Sequence, residues 1–390
     1  MLIILPYLII FLILFIFSIE INGKNFDMSI NQKVISIFFC FLFCFFLGCR
    51  GCLDTDWNQY YHIYTTIDNM SFSSFLSSSN YEFGFGLFMY LSSKITDNYF
   101  FFQFLSFLID FVLFYNFIIN FDKRIFSLTL IFFFLFEGVT IEVDLLRNSK
   151  SIMIFLFSTR YCKENLLKYV LLNFIGFLFH FSSLIYLVIT PFLFIKMNKI
   201  ILFILFLFGL CVFIFRIKIS SILLEIFLSK FTSGIIVEKA LFYISSKKYS
   251  SEIGFSIGFI ERFFSFILVM LFQDKMINKN SKVSIFINIF YLYFFVYLYC
   301  WDVYIFVLRF SKLFIVSYWV IFPTIYLCMN KESNKKLYLV ILFFYAVLRI
   351  YSDYFDQKLW EYNTVFNLPN LEVQSIKVEE FGRRSNELFR

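Results

Sequence analysis

Long apolar runs without charged side chains dominate this chain and limit what it can fold into. Runs of about 17 residues or more recur along its 390 residues, and Val283–Tyr299 is one of them. A helix of about 20 apolar residues crosses the hydrocarbon core of a bilayer, whereas a transmembrane barrel shows alternating segments of about ten residues. The pattern therefore predicts an all-α, polytopic integral membrane protein with about 10–12 transmembrane or re-entrant helices.

Composition and charge agree with this class and argue against others. The chain is 61% hydrophobic with a mean hydropathy of +0.80. Its net charge of +7 does not indicate nucleic-acid binding, because Lys and Arg are scattered through short loops, where they mark the cytoplasmic side. Only two His are present, and neither has a carboxylate or Cys at a ligand spacing, so the sequence predicts neither a metal centre nor a cofactor.

The charge pattern also predicts the domain organisation. We expect a single polytopic membrane domain over about 1–351, with outer loops at about 51–82 and 217–252, and a polar C-terminal tail over 352–390. The first outer loop contains Asp54, Asp56 and Asp68 but no Lys or Arg, whereas the turn at 122–124 is basic and predicted to be cytoplasmic. Glu82 opens an apolar piece of about a dozen residues, which is too short to span upright and indicates a re-entrant or interfacial helix.

Polar residues recur at helical spacing inside the apolar segments. Three sets each predict one stripe on a continuous helix: Asp144, Arg147, Ser151 and Ser158; Asn173, Gly176, His180, Ser183 and Thr190; and Gln103, Ser106 and Asp110. An ionisable group at the bilayer centre costs about 2.5–3.5 kcal/mol, so such stripes must face protein or a water-filled cavity.

Arg147 and His180 are therefore predicted to share a site on successive helices. The alternative is that Arg147 anchors its helix at the headgroups while His180 and Asn173 join neighbouring helices. The predicted topology places Asp54 and Glu82 on the same outer side as Arg147, with His180 partway down from it. Further along, Asp302 and Arg309 lie seven residues apart, which predicts one helical face at the outer end and also fits a structural charge pair.

The order of these motifs resembles the EpsG-like and Wzy-type bacterial polysaccharide polymerases. The resemblance runs from about residue 50 to 310 and is carried by short motifs: Asp54, Asp56 and Tyr60; Glu82, Gly84 and Phe85; Leu146 and Arg147; His180 and Ser182; and Arg309. The family often follows the Arg with Gln or a small residue and then Ala, whereas this chain continues with Asn148, Ser149, Lys150 and Ser151.

The resemblance implies a glycosyltransferase that polymerises polyprenyl-diphosphate-linked repeat units into O-antigen, capsule or exopolysaccharide. It places the protein in the bacterial inner membrane, as a multi-pass protein with its active side facing the periplasm. Cations stabilise a diphosphate leaving group, and an acceptor hydroxyl needs a general base. The predicted catalytic residues are Arg147, His180, Glu142 and Asp144, and the predicted substrate-binding residues are Asp54, Asp56, Tyr60, Glu82 and Arg309.

Within this set an outer carboxylate is the favoured base, with His180 as a ligand of phosphate or sugar hydroxyls. The expected partners are the lipid-linked glycan, the bilayer, and a chain-length regulator and flippase of the same pathway, with no nucleic acid. Two other functions stay open: a lipid-linked oligosaccharide flippase or other transporter, and a ligase that joins a finished glycan to a lipid acceptor. A transporter would be expected to show symmetric halves, and no internal repeat is visible here.

Overall fold

The computed structural model describes residues 2–22, 30–67, 70–79, 81–228 and 253–387. Asp68 and most of the predicted second outer loop, residues 229–252, lie outside these ranges. The described residues form helices, and none of them belongs to a β-strand. The predicted all-α fold class is confirmed.

The chain forms two compact units. The first comprises Met1–Thr190 and Met329–Phe381, and the second comprises Pro191–Cys328 and Gly382–Arg390. From residue 5 to residue 193 the helices are α1 (Leu5–Asn22), α2 (Ile30–Gly48), α3 (Asp56–Thr66), α4 (Phe72–Ser79), α5 (Phe83–Ser93), α6 (Tyr99–Asp122), α7 (Phe126–Leu135), α8 (Gly138–Asp144), α9 (Leu146–Ser158), α10 (Leu166–Phe179), α11 (Leu184–Val188) and α12 (Thr190–Leu193).

The helices that follow complete both units. They are α13 (Lys199–Ile214), α14 (Ile219–Leu228), α15 (Ile257–Lys279), α16 (Val283–Tyr299), α17 (Tyr304–Phe314), α18 (Val316–Leu327), α19 (Glu332–Tyr354) and α20 (Leu371–Glu387). Short 3₁₀ turns lie at Leu2–Ile4, Lys123–Ile125, Thr159–Tyr161, Phe181–Ser183 and Lys358–Trp360. The division into domains predicted from the charge pattern stays a prediction.

Two described stretches, Tyr99–Leu135 and Glu332–Tyr354, are helical, long and apolar enough to cross a membrane. Two pairs of described helices are bent at a short break: α13 and α14 by 90°, and α17 and α18 by 51°. The number of candidate spans rises to four if each of these pairs counts as one span. Five further apolar helices are shorter, at 10–17 residues. These features agree with a membrane protein, while the number of 10–12 crossings stays a prediction.

The first of these stretches reverses direction at Lys123–Ile125. The rings of Phe114 and Phe133 lie 5.0 Å apart, whereas 19 residues of straight helix would separate them by about 28 Å. Asp122 fixes the turn, because its carboxylate accepts hydrogen bonds from the backbone and the guanidinium of Arg124. The basic turn predicted from the sequence is therefore present between α6 and α7.

Helix α9 lies at the centre of the first unit, packed against α6 and α10. Every residue of α9 is buried except Arg147 and Phe157, which are half-buried. Helix α6 buries its polar stripe, with Ser106 and Asp110 bound to α9, and exposes apolar side chains elsewhere, including Phe101, Leu108 and Val112. Buried polar and exposed apolar side chains are the reverse of the pattern in soluble proteins, and they suit a helix that contacts lipid on one side and protein on the other.

The chain after α19 returns to the segment that joins α2 and α3. The backbone N–H of Gly51 donates to the carbonyl of Asn363, and Arg50 and Thr364 form an isolated β-bridge. Farther along, the Ser375 hydroxyl donates to the side-chain oxygen of Asn58 at 2.7 Å. These contacts bind the residues before α3 and its first turn to the C-terminal part of the first unit.

Two predicted helical stripes are interrupted in the structure. The continuous helix expected from Asn173 to Thr190 is wrong, because α10 ends at Phe179 and His180 has an extended backbone with φ −156° and ψ 127°. Asp144 ends α8 while Arg147 lies in α9, so these two residues do not share one helix either. Asn173 does join neighbouring helices, because its amide donates to the Ser158 hydroxyl at 2.8 Å.

The second unit has an aromatic core. Phe206 stacks on Phe266 at 4.5 Å, and Phe266 stacks on Phe294 at 4.7 Å. Asp302 precedes α17 and accepts hydrogen bonds from Ser220 and Ser221, so the helical face predicted for Asp302 and Arg309 is wrong. Arg309 is exposed on α17.

Candidate active site

Glu82 connects the two residues that the sequence predicts to share a site. It is the N-cap residue of α5, and its Oε2 accepts a hydrogen bond from Nη1 of Arg147 at 2.8 Å. Its Oε1 lies 2.7 Å from Nδ1 of His180 and 3.3 Å from the backbone nitrogen of Phe181. One carboxylate therefore joins the starts of α5 and α9 to the end of α10.

Arg147 has further contacts in the first turn of α9. Its Nε donates to the Tyr60 hydroxyl at 3.2 Å, and its guanidinium carbon lies 5.4 Å from the centre of the Tyr81 ring. The side chains of Arg147, Glu82 and His180 are 30%, 21% and 17% exposed. The guanidinium is thus held by protein groups while a ligand can still reach it.

Gly84 sets the distance between α5 and α10. A Cβ at this position would lie 2.8 Å from the carbonyl oxygen of Leu178 and 2.9 Å from its carbonyl carbon. Real Cβ atoms essentially never approach backbone this closely. Gly84 therefore allows the backbone approach that brings Glu82 to His180.

Side-chain hydrogen bonds hold His180 in its extended conformation. Ser183 donates its hydroxyl to the His180 carbonyl at 2.9 Å, and Ser182 donates to Oδ1 of Asn148 at 2.8 Å. With Nδ1 facing a carboxylate, the hydrogen of a singly protonated ring belongs on Nδ1. In that tautomer Nε2 has a lone pair that can accept a proton.

The electrostatics keep Glu82 ionised. Burial raises the pKa of this carboxyl, but the hydrogen bond with His180 and the positive charge of Arg147 outweigh burial and lower it to about 2. A permanent negative charge at this position stabilises the cation of Arg147 and any positive charge that develops on His180.

Asp144 holds the start of α3. Its Oδ1 accepts the Thr55 hydroxyl at 2.9 Å and the backbone N–H of Asp56 at 3.1 Å. Asp54 and Asp56 are half-buried at the same end of α3, and Asp54 has a left-handed backbone with φ 59°. Asp144 thus binds the backbone and the Thr55 side chain at the start of α3, and Asp54 and Asp56 lie beside these groups in sequence.

Glu142 is only 1% exposed and lies beside Asp110 rather than in the hydrogen-bonded group around Glu82. Burial and the charge of Asp110 raise its pKa well above the ordinary range, against the lowering effect of Lys150 and Arg50. Its predicted role as a catalytic residue is untested, as is the substrate-binding role of Arg309 in the second unit.

Sequence reasoning missed the buried cations. Lys150 forms a 2.6 Å ion pair with Asp110, and Arg50 donates to the backbone carbonyl of Glu142 at 2.6 Å. A signal was available, because a charge on one apolar helix requires an opposite charge on another. Tyr81, whose ring lies against Arg147, has no charge that would have indicated a partner in the sequence.

The model of the EpsG family matches residues 33–364, which is most of the chain. The chain belongs to the EpsG family. EpsG is a family of Wzy-like polymerases, and membership supports a glycosyltransferase-like role for this protein.

For this EpsG-family protein, no curated protein and no solved structure gives a match. The resemblance inferred from the short motifs is confirmed at the level of the family. The matched range contains Tyr60, Glu82, Arg147 and His180, the four residues that the structure brings together.

Proposed function

We propose that this EpsG-family protein polymerises polyprenyl-diphosphate-linked oligosaccharide repeat units into a surface polysaccharide at the outer face of the bacterial inner membrane. The observation that carries the proposal is the group of Arg147, Glu82 and His180, in which one half-buried carboxylate binds a cation and an imidazole side by side. The group supplies the two functions that glycosyl transfer from a diphosphate requires.

The first function is stabilisation of the leaving group. During transfer the bond between the anomeric carbon and the diphosphate oxygen breaks, and its electron pair stays on the diphosphate. Guanidinium binds phosphate oxygens through a rigid fork of N–H donors. Arg147 uses Nη1 and Nε for Glu82 and Tyr60, and its other donors suit the oxygens of the diphosphate.

The second function is proton removal. The acceptor hydroxyl oxygen forms the new bond to the anomeric carbon as it loses its proton, and we assign the proton to Nε2 of His180. Glu82 then stabilises the imidazolium through Nδ1, as the carboxylate does in hydrolase triads. This assignment replaces the outer carboxylate as the favoured base, since Glu82 is engaged by Arg147 and His180 together.

The other predicted participants are part of this proposal. Asp54, Asp56 and the aromatic residues around α3 would contact sugar rings, and Arg309 would bind phosphate or sugar. Expected partners are a flippase that delivers the repeat unit and a chain-length regulator. The polymer formed would be an O-antigen, a capsule or an exopolysaccharide.

The test is the surface-polysaccharide profile of a strain that lacks this gene. The strain is complemented with wild type, Arg147→Ala, His180→Ala or the control Arg124→Ala, whose side chain lies at the turn before α7. We expect a ladder with wild type and Arg124→Ala, and single repeat units with the two site variants at equal membrane levels. An unchanged ladder in the strain that lacks the gene would contradict polymerisation. Repeat units trapped on the cytoplasmic side of that strain's membrane would indicate a flippase instead.

A further inference from the structure

A second charged group lies on the buried side of α9, at Lys150, three residues after Arg147. Lys150 is 1% exposed, and its Nζ donates to Oδ2 of Asp110 at 2.6 Å, to the Ser106 hydroxyl at 2.6 Å and to the Ser106 carbonyl at 2.7 Å. Ser149 donates its hydroxyl to the same Asp110 oxygen at 2.7 Å. These bonds attach the first turn of α9 to α6.

Glu142 completes this group from α8. Its carboxyl interacts with that of Asp110, yet both Glu142 oxygens and Oδ1 of Asp110 are buried and receive no hydrogen bond from the described residues. Two carboxylates cannot hydrogen-bond to each other unless one of them carries a proton. A single proton between the two groups would give both of them a partner and would remove one buried negative charge.

Arg50 faces the same group but is engaged elsewhere. Its guanidinium donates to the backbone carbonyls of Leu47 at 2.5 Å and of Glu142 at 2.6 Å. It therefore fixes the backbone of α8 while the Glu142 carboxyl faces Asp110. The arrangement leaves Asp110 as the anion that Lys150 neutralises.

Consecutive residues at the start of α9 are attached to different neighbours. Arg147 is bound to Glu82 before α5, Asn148 accepts from Ser182 after His180, and Ser149 and Lys150 are bound to Asp110 on α6. The hydrogen bonds of Ser149 and Lys150 therefore attach the start of α9 to α6.

We propose that Asp110, Glu142 and Lys150 are positioning residues that fix the start of α9, and with it the guanidinium of Arg147, through one proton shared between the two carboxyl groups. The inference rests on the proposed function, because it concerns binding of the lipid diphosphate by Arg147. It gives Glu142 a structural role as a neutral hydrogen-bond donor, so that Glu142 does not act as a general base.

Binding of a polyprenyl diphosphate to the purified protein in detergent tests this inference. For Lys150→Met and for Asp110→Asn we expect a dissociation constant at least fivefold higher than for wild type, with an unchanged number of sites per folded molecule. The double variant Asp110→Asn/Lys150→Met removes both charges of the 2.6 Å ion pair together and should recover at least half of the lost affinity on the logarithmic scale. A merely structural role would lower the number of sites and leave the affinity of the remaining sites unchanged.

Glu142→Gln supplies a second, independent comparison. An amide preserves the size of the side chain and the ability to donate to Asp110, so this variant should keep wild-type affinity and at least half of the wild-type polymerisation rate. A hundredfold loss of rate at unchanged affinity would assign Glu142 to the chemistry and overturn the proposal. Wild-type affinity in folded Lys150→Met would overturn it as well.

The outcomes separate this inference from the function on which it rests. If wild type does not bind the lipid diphosphate, the proposed function fails and the inference fails with it. If wild type binds and Arg147→Ala does not, while Lys150→Met binds as wild type does, only the positioning network fails. Where a single variant gives no folded protein, Glu142→Gln and the double variant carry the comparison.

Discussion

Substitution of Gly84 by Ala perturbs the contact between α5 and α10 without changing any polar side chain. The new methyl group would meet the Leu178 carbonyl oxygen at 2.8 Å, and backbone cannot rotate aside as a side chain can. Ordinary contact begins at about 3.4 Å, so the two helices must separate by about 0.6 Å. The 2.7 Å distance from Oε1 of Glu82 to Nδ1 of His180 would then grow to about 3.3 Å, which weakens this hydrogen bond.

The expected loss of rate follows from this strain. Overpacking of a close contact costs about 1–3 kcal/mol, which corresponds to roughly a 5- to 150-fold lower rate if the site bears the strain. The assay is the initial rate of polymer formation in membrane vesicles supplied with the lipid-linked repeat unit, normalised to the amount of folded protein.

Gly86→Ala is the matched control on the same helix. Its methyl group would meet Cδ1 of Leu76 at 2.9 Å, the far end of a flexible side chain that can move. We expect Gly86→Ala to stay within twofold of wild type. Equal rates for Gly84→Ala and wild type, or equal losses for the two variants, would refute the claim that Gly84 sets the geometry of the site.

Three further predictions follow from the site. Arg147→Lys keeps the charge but loses the fork that reaches Glu82 and Tyr60 together, so kcat/KM should fall at least tenfold, and a wild-type value would show that the charge alone suffices. Asp144→Ala removes the acceptor at the start of α3 and should lower the thermal unfolding midpoint in detergent by about 2 °C or more, whereas an unchanged midpoint would show that this contact does not stabilise α3. The pKa of Glu82 is lowered from 4.5 to about 2, so the stability from its ion pair is fully present above about pH 4.5 and is lost as the pH falls toward 2. The midpoint difference between wild type and Glu82→Gln should therefore be constant from about pH 5 to pH 8 and shrink below about 4.5, and a difference that shrinks near pH 7 would contradict the lowered pKa.

The sequence predicts the fold class and much of the site because both depend on the cost of polarity in lipid. Apolar runs determine the class, and the charged turn at Asp122 and Arg124 is visible as a break between two apolar stretches. The same reasoning brings Arg147 and His180 together, since neither can face lipid. The structure adds that Glu82 is the group between them.

Other features could not be predicted because they depend on contacts distant in sequence. The helical spacing of His180 and Ser183 gives no sign that α10 ends at Phe179. The groups that bind the chain there, Glu82 on the Phe181 N–H and Asn148 on the Ser182 hydroxyl, are distant in sequence. Likewise, nothing in the sequence around Asp144 distinguishes a cap of α3 from a catalytic base.

The buried pair of Lys150 and Asp110 shows a different limit. Its residues lie 40 positions apart in sequence, and their spacing carries no information about which helices pack together. Only the packing of α6 against α9 turns two separate, costly charges into one pair.

Polymer formation by the purified protein in liposomes tests the central claim most directly. The liposomes contain one lipid-linked substrate, a polyprenyl diphosphate that carries one repeat unit, which serves as both donor and acceptor. The products are resolved by size. Wild type should give a ladder together with released polyprenyl diphosphate, while Glu82→Gln, Arg147→Ala and His180→Ala should give neither at equal amounts of folded protein. A ladder of wild-type length and rate from Glu82→Gln or Arg147→Ala would contradict the assignment of polymerisation to this site.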